Sequence, residues 1–299
     1  MATFTSLKDG FVSQTLPQEL INKIIDQFDP QKYSHRRTVL SCSQVCRGFS
    51  VCSQEFLFAE TRLWYELSES GGSGVARLAR CLKDSPHLGL YIKHFTLNMC
   101  QSLAHRRSFL ERGPGNEHLF QIFKCLKRLR SLVITPTPAF DWSNSVGQIL
   151  KSVFQTSLPS LIRIGLNGSV NFDPTIISNL HSLRSLKLRN VHFTFPTLEP
   201  TPSPSQSESL PLVRLEYLLS RTNSADFLDN CIFKPRPVID VSGLRSLSIQ
   251  EPAAELLEHI SRLFYQCSRH LEFLDIGLGT GQSFDFLNSL SILTRFSPF

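Results

Sequence analysis

The sequence predicts a mixed α/β fold, in which a short helical module precedes an irregular solenoid of strands and helices with a parallel sheet. Three observations lead to this prediction. Apolar residues recur at helical spacing near the N-terminus, and short Leu-x-Leu segments recur through the rest of the chain. Of the 299 residues, 41% are hydrophobic and 19% are charged, which is typical of a folded chain with a substantial core.

The predicted module contains three apolar helical segments. The first is LPQELINKIIDQF (residues 16–28), where a proline suits the first helical turn. Its apolar residues are Leu20, Ile21, Ile24, Ile25 and Phe28. A second helix is predicted at 39–53 with Thr38 as its N-cap, and a third segment at 55–67. Because so small a module makes a marginal core, we expect a partner protein or a following domain to cover its remaining apolar surface.

Three stretches of this module carry a family resemblance: LPQELI at 16–21, LSCSQVCRGF at 40–49 and FLF at 56–58. They resemble the F-box, in the divergent form common in mushroom-forming fungi. The resemblance implies a three-helix F-box-like module that docks on a Skp-type adaptor. The adaptor would join it to the cullin scaffold of an SCF-type E3 ubiquitin ligase, in the Ubl conjugation pathway. The first helix would then bury part of its face against another protein.

The resemblance also implies which residues contact the adaptor. They are Leu16, Pro17, Leu20, Ile21, Ile24, Val45, Cys46 and Arg47. Two features depart from the family pattern. Phe49 stands where the family commonly has Trp, which keeps an aromatic ring but loses the indole donor. The loop at 29–37 is somewhat long, which can shift the second helix.

The rest of the chain repeats a leucine pattern. In NLHSLRSLKLRNV (179–191), Leu180, Leu183, Leu186 and Leu188 have the spacing of a leucine-rich repeat, with Asn190 two residues later. The first apolar residues of the recurring pairs are Phe95, Leu132, Ile164, Leu186, Leu247 and Leu274. A further copy lies near Leu215, but its register is open. The uneven intervals favour an irregular leucine-rich-repeat solenoid, in which each strand is followed by a helix of variable length.

The domain organisation follows from these patterns. We predict an F-box-like helical module at 13–60 and the repeat solenoid at 61–299. Helices are predicted between the strands at 75–88, 117–128, 145–158, 173–180, 224–233 and 252–270, with Asp173 as an N-cap. A long loop at 98–116 and a Pro/Ser-rich insertion at about 194–209 interrupt the solenoid. One Thr-Pro pair and one Ser-Pro pair in the insertion, at 201–204, are candidates for phosphorylation.

The residues between the paired leucines predict a target-binding face. In a strand the two leucines point to the interior, so the intervening residues form a row on the open side of the sheet. This row consists of His94, Thr96, Ser131, Val133, Arg163, Gly165, Ser185, Lys187, Arg189, Ser246, Ser248, Gln250, Phe273 and Asp275. Among them we assign target binding to Ser185, Lys187, Arg189, Ser246, Ser248 and Gln250.

No familiar catalytic pattern is present, so we expect no enzymatic activity and no cofactor. The nearest approach to a metal site is Cys42, Cys46 and Cys52 with His35, for which packing in a core is the favoured explanation. The eight cysteines contain no C-x-x-C pair, and no signal peptide or membrane span is evident. We therefore expect a reduced location, cytoplasmic and/or nuclear.

Two other functions remain open. The chain can be a leucine-rich-repeat interaction scaffold that acts without ubiquitin ligation, its front helices serving as an N-terminal cap. The net charge of +6 also permits a nucleic-acid binder, although basic clusters such as Arg106-Arg107 are not interleaved with aromatic residues. The favoured prediction is a substrate-recognition subunit with protein partners, and without nucleic-acid or membrane binding.

Overall fold

The fold was analysed in a computed structural model, which describes residues 16–29, 32–66, 73–100, 114–137, 140–156, 158–195, 213–221, 225–234, 237–250 and 256–277. By its internal contacts the chain divides into two units, Met1–Phe58 and Ala59–Phe299. We call them the helical unit and the repeat unit. Nowhere in the ranges above is a helix both long enough and apolar enough to span a bilayer.

The helical unit contains α1 (Gln18–Ile25), α2 (Tyr33–Cys42) and the greater part of α3 (Arg47–Ala59). Its core is formed by one or two apolar side chains from each helix. These side chains are Ile21, Ile25, Val39 and Phe49. Gly48 allows α3 to approach α1 closely, because a Cβ atom there would lie 2.9 Å from Ile21 Cδ1. An Arg36 hydrogen bond to the Leu57 carbonyl, 3.1 Å long, ties α2 to α3.

Two helix predictions in this unit are wrong in their extent. The helix predicted at 39–53 is two helices, separated by a turn in which Val45 N–H donates to the Cys42 carbonyl at 3.0 Å. The spacing imitated one helix because Val39 on α2 and Phe49 on α3 both enter the same core. The third predicted segment, 55–67, includes the end of α3 and then strand β1 (Glu60–Glu66). In β1, Leu63 and Tyr65 are buried and Trp64 is exposed, the alternation of a strand.

The repeat unit is built on one parallel sheet, as predicted. Its strands follow the order β1-β2-β3-β5-β6-β8-β10-β11, so that successive repeats lie side by side. The remaining strands of this path are β2 (His94–Cys100), β3 (Ser131–Thr137), β5 (Arg163–Phe172), β6 (Ser185–Phe193), β8 (Tyr217–Arg221), β10 (Ser246–Gln250) and β11 (Phe273–Gly277). Short β4 (Phe140–Asp141) pairs with β5, and β7 (Val213–Arg214) pairs with β9 (Ile239–Asp240).

Helices connect these strands in each of the six predicted regions. They are α4 (Ser73–Asp84), α5 (Pro114–Cys125), α6 (Ser145–Thr156), α7 (Ala225–Leu228) and α8 (Leu257–Cys267), with 3₁₀ helices at Pro86–Leu90 and Pro174–Asn179 and a π-helical turn at Asp229–Phe233. The predicted N-cap is confirmed, because Asp173 accepts a hydrogen bond from Thr175 N–H at 2.9 Å. The element after it is a 3₁₀ helix, which begins with Pro174.

The first apolar residues of the predicted pairs line up across the sheet, and we call this row the apolar ladder; the structure also supplies the one register that the sequence left open. Neighbouring strands place Phe95, Leu132, Ile164, Leu186, Leu218, Leu247 and Leu274 opposite one another. The copy near Leu215 therefore contributes Leu218 to the ladder. Leu215 is buried three residues earlier, in the position that Leu183 occupies before Leu186. With Leu218 in the ladder, the interval of 61 residues between Leu186 and Leu247 divides into intervals of 32 and 29 residues.

A repeated backbone contact shows that the copies are structurally equivalent. The carbonyl of the residue before a strand accepts two N–H groups from the start of the next strand. Lys93, for example, accepts from Arg130 and Ser131 at 2.8 and 3.0 Å. The other acceptors of this kind are Arg130, Ile162, Arg184, Glu216 and Arg245. One residue in each repeat thus joins two neighbouring repeats through its main chain.

Several predicted features lie outside the described residues. These are most of the 98–116 loop with Arg106-Arg107, the Pro/Ser-rich insertion from residue 196 with its candidate phosphorylation sites, and residues 278–299.

Candidate protein-binding surfaces

Helix α1 carries two apolar stripes, of which one is buried and one is open. Ile21 and Ile25 are each 3% exposed, whereas Leu20 and Ile24 are 45% and 41% exposed. Residues four apart share a face of a helix, so each pair forms its own stripe and the two stripes lie side by side. The helical unit therefore covers only one of the two stripes.

Other predicted adaptor contacts are also exposed. Leu16 is 51% exposed and Val45 is 70% exposed, and Pro17, Cys46 and Arg47 are exposed as well. Val45 and Cys46 lie in the turn between α2 and α3, where the helix break brings them to the surface. Ile21 differs from the rest, because it packs in the core of the unit. Its side chain therefore supports the open stripe from beneath and is not free to contact a partner.

A polar contact holds the other side of α1 against α3. Gln18 Nε2 donates to Cys52 Sγ at 2.7 Å, and Cys52 Sγ donates to Asn22 Oδ1 at 2.9 Å. Burial and the nearby Glu55 carboxylate raise the pKa of the Cys52 thiol, while the Gln18 hydrogen bond partly opposes them. A metal would need the thiolate. Over the described ranges, no three potential ligands group together, and His35 Nδ1 instead accepts from Asp29 N–H at 2.9 Å.

In the repeat unit, the open face of the sheet presents the predicted row unevenly. Lys187 and Arg189 on β6 are exposed, and Ser185, Ser246 and Gln250 are half-buried. The Lys187 ammonium lies 5.3 Å from the centre of the Tyr217 ring on β8. Ser248 is 3% exposed and donates to Asp275 Oδ2 at 2.9 Å, so its hydroxyl is already engaged within the sheet. Within the predicted row, β6 thus carries two exposed basic side chains.

The pKa of His94, on strand β2, reports the electrostatic environment of the same face near its first strands. Burial lowers the pKa of His94, and the basic side chains of Arg163, Arg130 and Lys93 lower it further, against the opposing effect of Glu60. The lowered pKa keeps this imidazole neutral at physiological pH. The face thus holds a neutral ring at β2 and cationic side chains at β5 and β6.

Some surface residues were not anticipated from the sequence. Trp64 is exposed on β1, and Tyr217 lies in the outward row of β8. Trp64 was missed because its segment was assigned to a helix, and its alternation in burial with Leu63 and Tyr65 is visible only in the structure. Tyr217 was missed because the register of the copy near Leu215 was left open.

Comparisons with known proteins add little to this description. No protein-family model matches the chain, and no curated protein matches it. Among solved structures, the chain is similar to the crystal structure of an internalin from Listeria monocytogenes at 15% sequence identity. That alignment covers 89% of this chain and 95% of the internalin chain, with a TM-score of 0.28. A TM-score this low carries no argument about fold or function, so both rest on the residues described above.

Proposed function

We propose that the chain is a substrate-recognition subunit of an SCF-type E3 ubiquitin ligase. In this proposal the helical unit binds a Skp-type adaptor, and through it a cullin scaffold. The repeat unit binds the protein to be ubiquitinated. The chain performs no bond chemistry itself, needs no cofactor, and acts in the cytoplasm, the nucleus or both.

The observation that carries this proposal is the open apolar stripe of Leu20 and Ile24. Two large aliphatic side chains at i and i+4, each more than two-fifths exposed, are costly to leave in water and are typical anchors for a helix that docks on a partner. The stripe lies within the segment that resembles the adaptor-binding part of an F-box. Leu16, Pro17, Val45, Cys46 and Arg47 extend the proposed contact, while Ile21 holds the stripe in position.

For the repeat unit, we propose that Lys187 and Arg189 are the first contacts of a target, with Ser185, Ser246 and Gln250 beside them. Their exposure and positive charge support this role. Ser248 is the weakest member of the set, because its hydroxyl is buried and bonded to Asp275. The target has, in this proposal, an acidic surface facing β6.

Co-expression with a Skp-type adaptor tests the proposal directly. The tagged wild-type chain is expected to retain the adaptor through affinity purification and gel filtration. Leu20→Asp and Ile24→Asp are each expected to weaken adaptor binding at least about tenfold, because a carboxylate then faces an apolar groove. Trp64→Asp is the matched control, since it places the same charge at an exposed apolar position of the other unit.

Failure of the wild-type chain to retain the adaptor, while it remains folded by circular dichroism, would contradict the proposal. Equal losses in Ile24→Asp and Trp64→Asp would also contradict it, because the effect would then not be specific to α1.

A second candidate is a repeat-based interaction scaffold without ubiquitin ligation. The parallel sheet with one open face favours it independently of the helical unit. A monomer that binds protein targets through β6 but ignores every Skp-type adaptor is the result expected for a scaffold.

A further inference from the structure

A charged cleft lies in the repeat unit at the N-terminal ends of strands β8, β10 and β11. Its volume is about 580 Å³. Four arginines and two glutamates line it, together with His270: Arg184, Arg214, Arg245, Arg269, Glu216 and Glu272. None of these positions belongs to the open-face row assigned above to target binding. The cleft is therefore a separate candidate site.

The acidic side chains of the cleft are already matched by arginines. Glu216 Oε1 lies 3.8 Å from Arg184 Nε, and Glu272 Oε1 lies 3.7 Å from Arg245 Nη1. These pairs recur because the four residues occupy the equivalent position before their strands, where charge alternates along the edge of the sheet. Each glutamate thus neutralises one arginine in the cleft.

Arg214 and Arg269 are left without an acidic partner in the described part of the chain. Asp240 is the register neighbour of Arg214 across β7 and β9, but its Oδ1 accepts from Ser242 N–H at 2.8 Å. Among the described residues, the cleft therefore holds about two uncompensated positive charges. A bound dianion would balance them.

Hydrogen bonds hold Arg184 in place before any ligand binds, and Arg214 lies in close contact with the backbone. Arg184 Nη1 donates to the carbonyls of His181 and Leu183 at 3.2 and 3.1 Å. The Arg214 guanidinium packs on Gly243, where a Cβ atom would lie 2.5 Å from Nε. Only glycine leaves room for this arrangement. A guanidinium held by hydrogen bonds, like that of Arg184, loses less side-chain entropy when it binds an anion.

We propose that this cleft binds a phosphate monoester, with Arg214 and Arg269 as its main ligands. A phosphate monoester carries a charge of about −1.5 to −2 at pH 7 and accepts hydrogen bonds from several guanidinium groups at once, which matches the uncompensated charge. A nucleic-acid backbone fits poorly, since a polyanion lying along the edge would meet Glu216 and Glu272. The proposal does not depend on whether the helical unit binds an adaptor.

Calorimetric titration of the full chain tests the site with three probes. They are O-phosphoserine, a capped Gly-phosphoserine-Gly peptide and a short single-stranded oligothymidylate. Both phosphoserine probes are expected to bind. Arg214→Gln and Arg269→Gln are each expected to weaken that binding about tenfold or more, the usual effect of losing a hydrogen bond to a charged group. Arg80→Gln, at an exposed position of α4 in the same unit, is the matched control and is expected to bind normally.

Gly243→Ala tests the positioning of Arg214 without changing any charge. The added methyl displaces the guanidinium, so weaker phosphoserine binding with unchanged salt dependence is expected. In each variant, the unfolding curve followed by tryptophan fluorescence checks that the repeat unit is folded, since both tryptophans lie there.

The outcomes separate the sources of the ligand as well. Tighter binding of the peptide than of free phosphoserine supports a phosphorylated protein segment, and equal binding supports a small phosphorylated molecule. The proposal is overturned if neither phosphoserine probe binds the wild-type chain, if Arg80→Gln weakens binding as much as Arg214→Gln, or if the oligothymidylate binds most tightly.

Discussion

The helical unit and the repeat unit treat their apolar side chains in opposite ways. Among the described residues, the smaller helical unit leaves seven large apolar side chains exposed: Leu16, Leu20, Ile24, Tyr33, Leu40, Val45 and Val51. The much longer repeat unit exposes five, and two of these, Phe273 and Leu274, lie on the last strand of its sheet. Exposed apolar surface is therefore concentrated in the helical unit.

The difference follows from how each unit builds its core. In the repeat unit, every inner strand has a neighbour on both sides, so the ladder leucines bury one another. In the helical unit, three helices bury four apolar side chains, and its described residues form no further layer that covers the rest. Repetition removes apolar surface from water within one chain, whereas a small helix cluster retains surface that a partner can use.

The largest effect is expected in the middle of the ladder. Leu186 is fully buried between Ile164 and Leu218, so Leu186→Ala should lower the free energy of unfolding of the repeat unit by about 4 kcal/mol. Leu274, 40% exposed on the last strand, is the matched control, and Leu274→Ala should cost less than about 1 kcal/mol. Urea unfolding followed by tryptophan fluorescence measures both. Similar losses would show that the ladder does not bury itself.

A neighbouring pair on α1 gives the next largest effect. Ile25→Ala should destabilise the helical unit by about 3 kcal/mol, because Ile25 belongs to its small core. Ile24→Ala should change stability by less than about 0.5 kcal/mol, since Ile24 lies on the open stripe. Hydrogen exchange of the α1–α3 amides reports these changes, while the tryptophan signal of the repeat unit should not move. Equal losses in the two variants would mean that Ile24 is buried as well.

Helix starts also differ between the units, and one of them predicts a pH effect. In the described structure, neither α1 nor α2 has a side-chain cap at its N-terminus, whereas Asp173 caps its 3₁₀ helix and pairs with Lys151 at 3.0 Å. Burial alone would raise the pKa of Asp173, but hydrogen bonds from Thr175 and Lys151 outweigh it and lower the pKa. Asp173→Ala should cost about 1 kcal/mol at pH 7.

The sign of the pH effect follows from the lowered pKa. The stability that Asp173 adds is complete above its unfolded-state value of about 3.9 and is lost as the pH falls through the lower folded-state value. The difference in urea midpoint between wild type and Asp173→Ala should therefore shrink in acid. Asp84→Ala, at the exposed end of α4, is the control and should show a small difference at every pH. A difference that grows in acid would contradict the pKa direction.

The reactivity of the cysteines offers a further comparison of the helical unit with the repeat unit, and it is measured by chemical labelling. Burial raises the pKa of Cys231 to about 12 and that of Cys267 to about 11, and both lie in the repeat unit. Cys46 of the helical unit is exposed. At about pH 8, iodoacetamide should modify Cys46 and spare Cys231 and Cys267 until urea is added. Peptide mass spectrometry measures the modification. Labelling of Cys231 in the native protein would show that its surroundings open readily.

The same labelling experiment bears on the proposed function. Protection of Cys46 by a Skp-type adaptor is expected if the turn between α2 and α3 lies in the interface. Continued labelling of Cys46 in a stable complex would place the contact elsewhere on the helical unit.

Much of the repeat unit was predictable, because its pattern is local. The Leu-x-Leu pairs identified Phe95, Leu132, Ile164, Leu186, Leu247 and Leu274 as ladder residues, and the N-cap at Asp173 was predictable from one dipeptide. The register of the copy near Leu215 stayed open because an apolar residue lies three positions before each pair, so either Leu215 or Leu218 can be taken as the start. Only pairing with β6 and β10 identifies Leu218.

The helical unit was less predictable in its boundaries than in its surface. Spacing placed Leu20 and Ile24 beside Ile21 and Ile25, but it could not tell which stripe the other helices would cover. The break between α2 and α3 was also hidden, since residues on both sides of it fill one core.

Local spacing along the chain determines the leucine ladder, the parallel sheet that it builds and the apolar character of α1. Tertiary packing decides which stripe of α1 stays open, that β1 is a strand, and that arginines from separate repeats line one cleft. The physical reason is the separation along the sequence of the residues that interact. A period of two or of three to four residues is set by the backbone and is visible in sequence, whereas burial and charge balance depend on residues that meet only after the chain has folded.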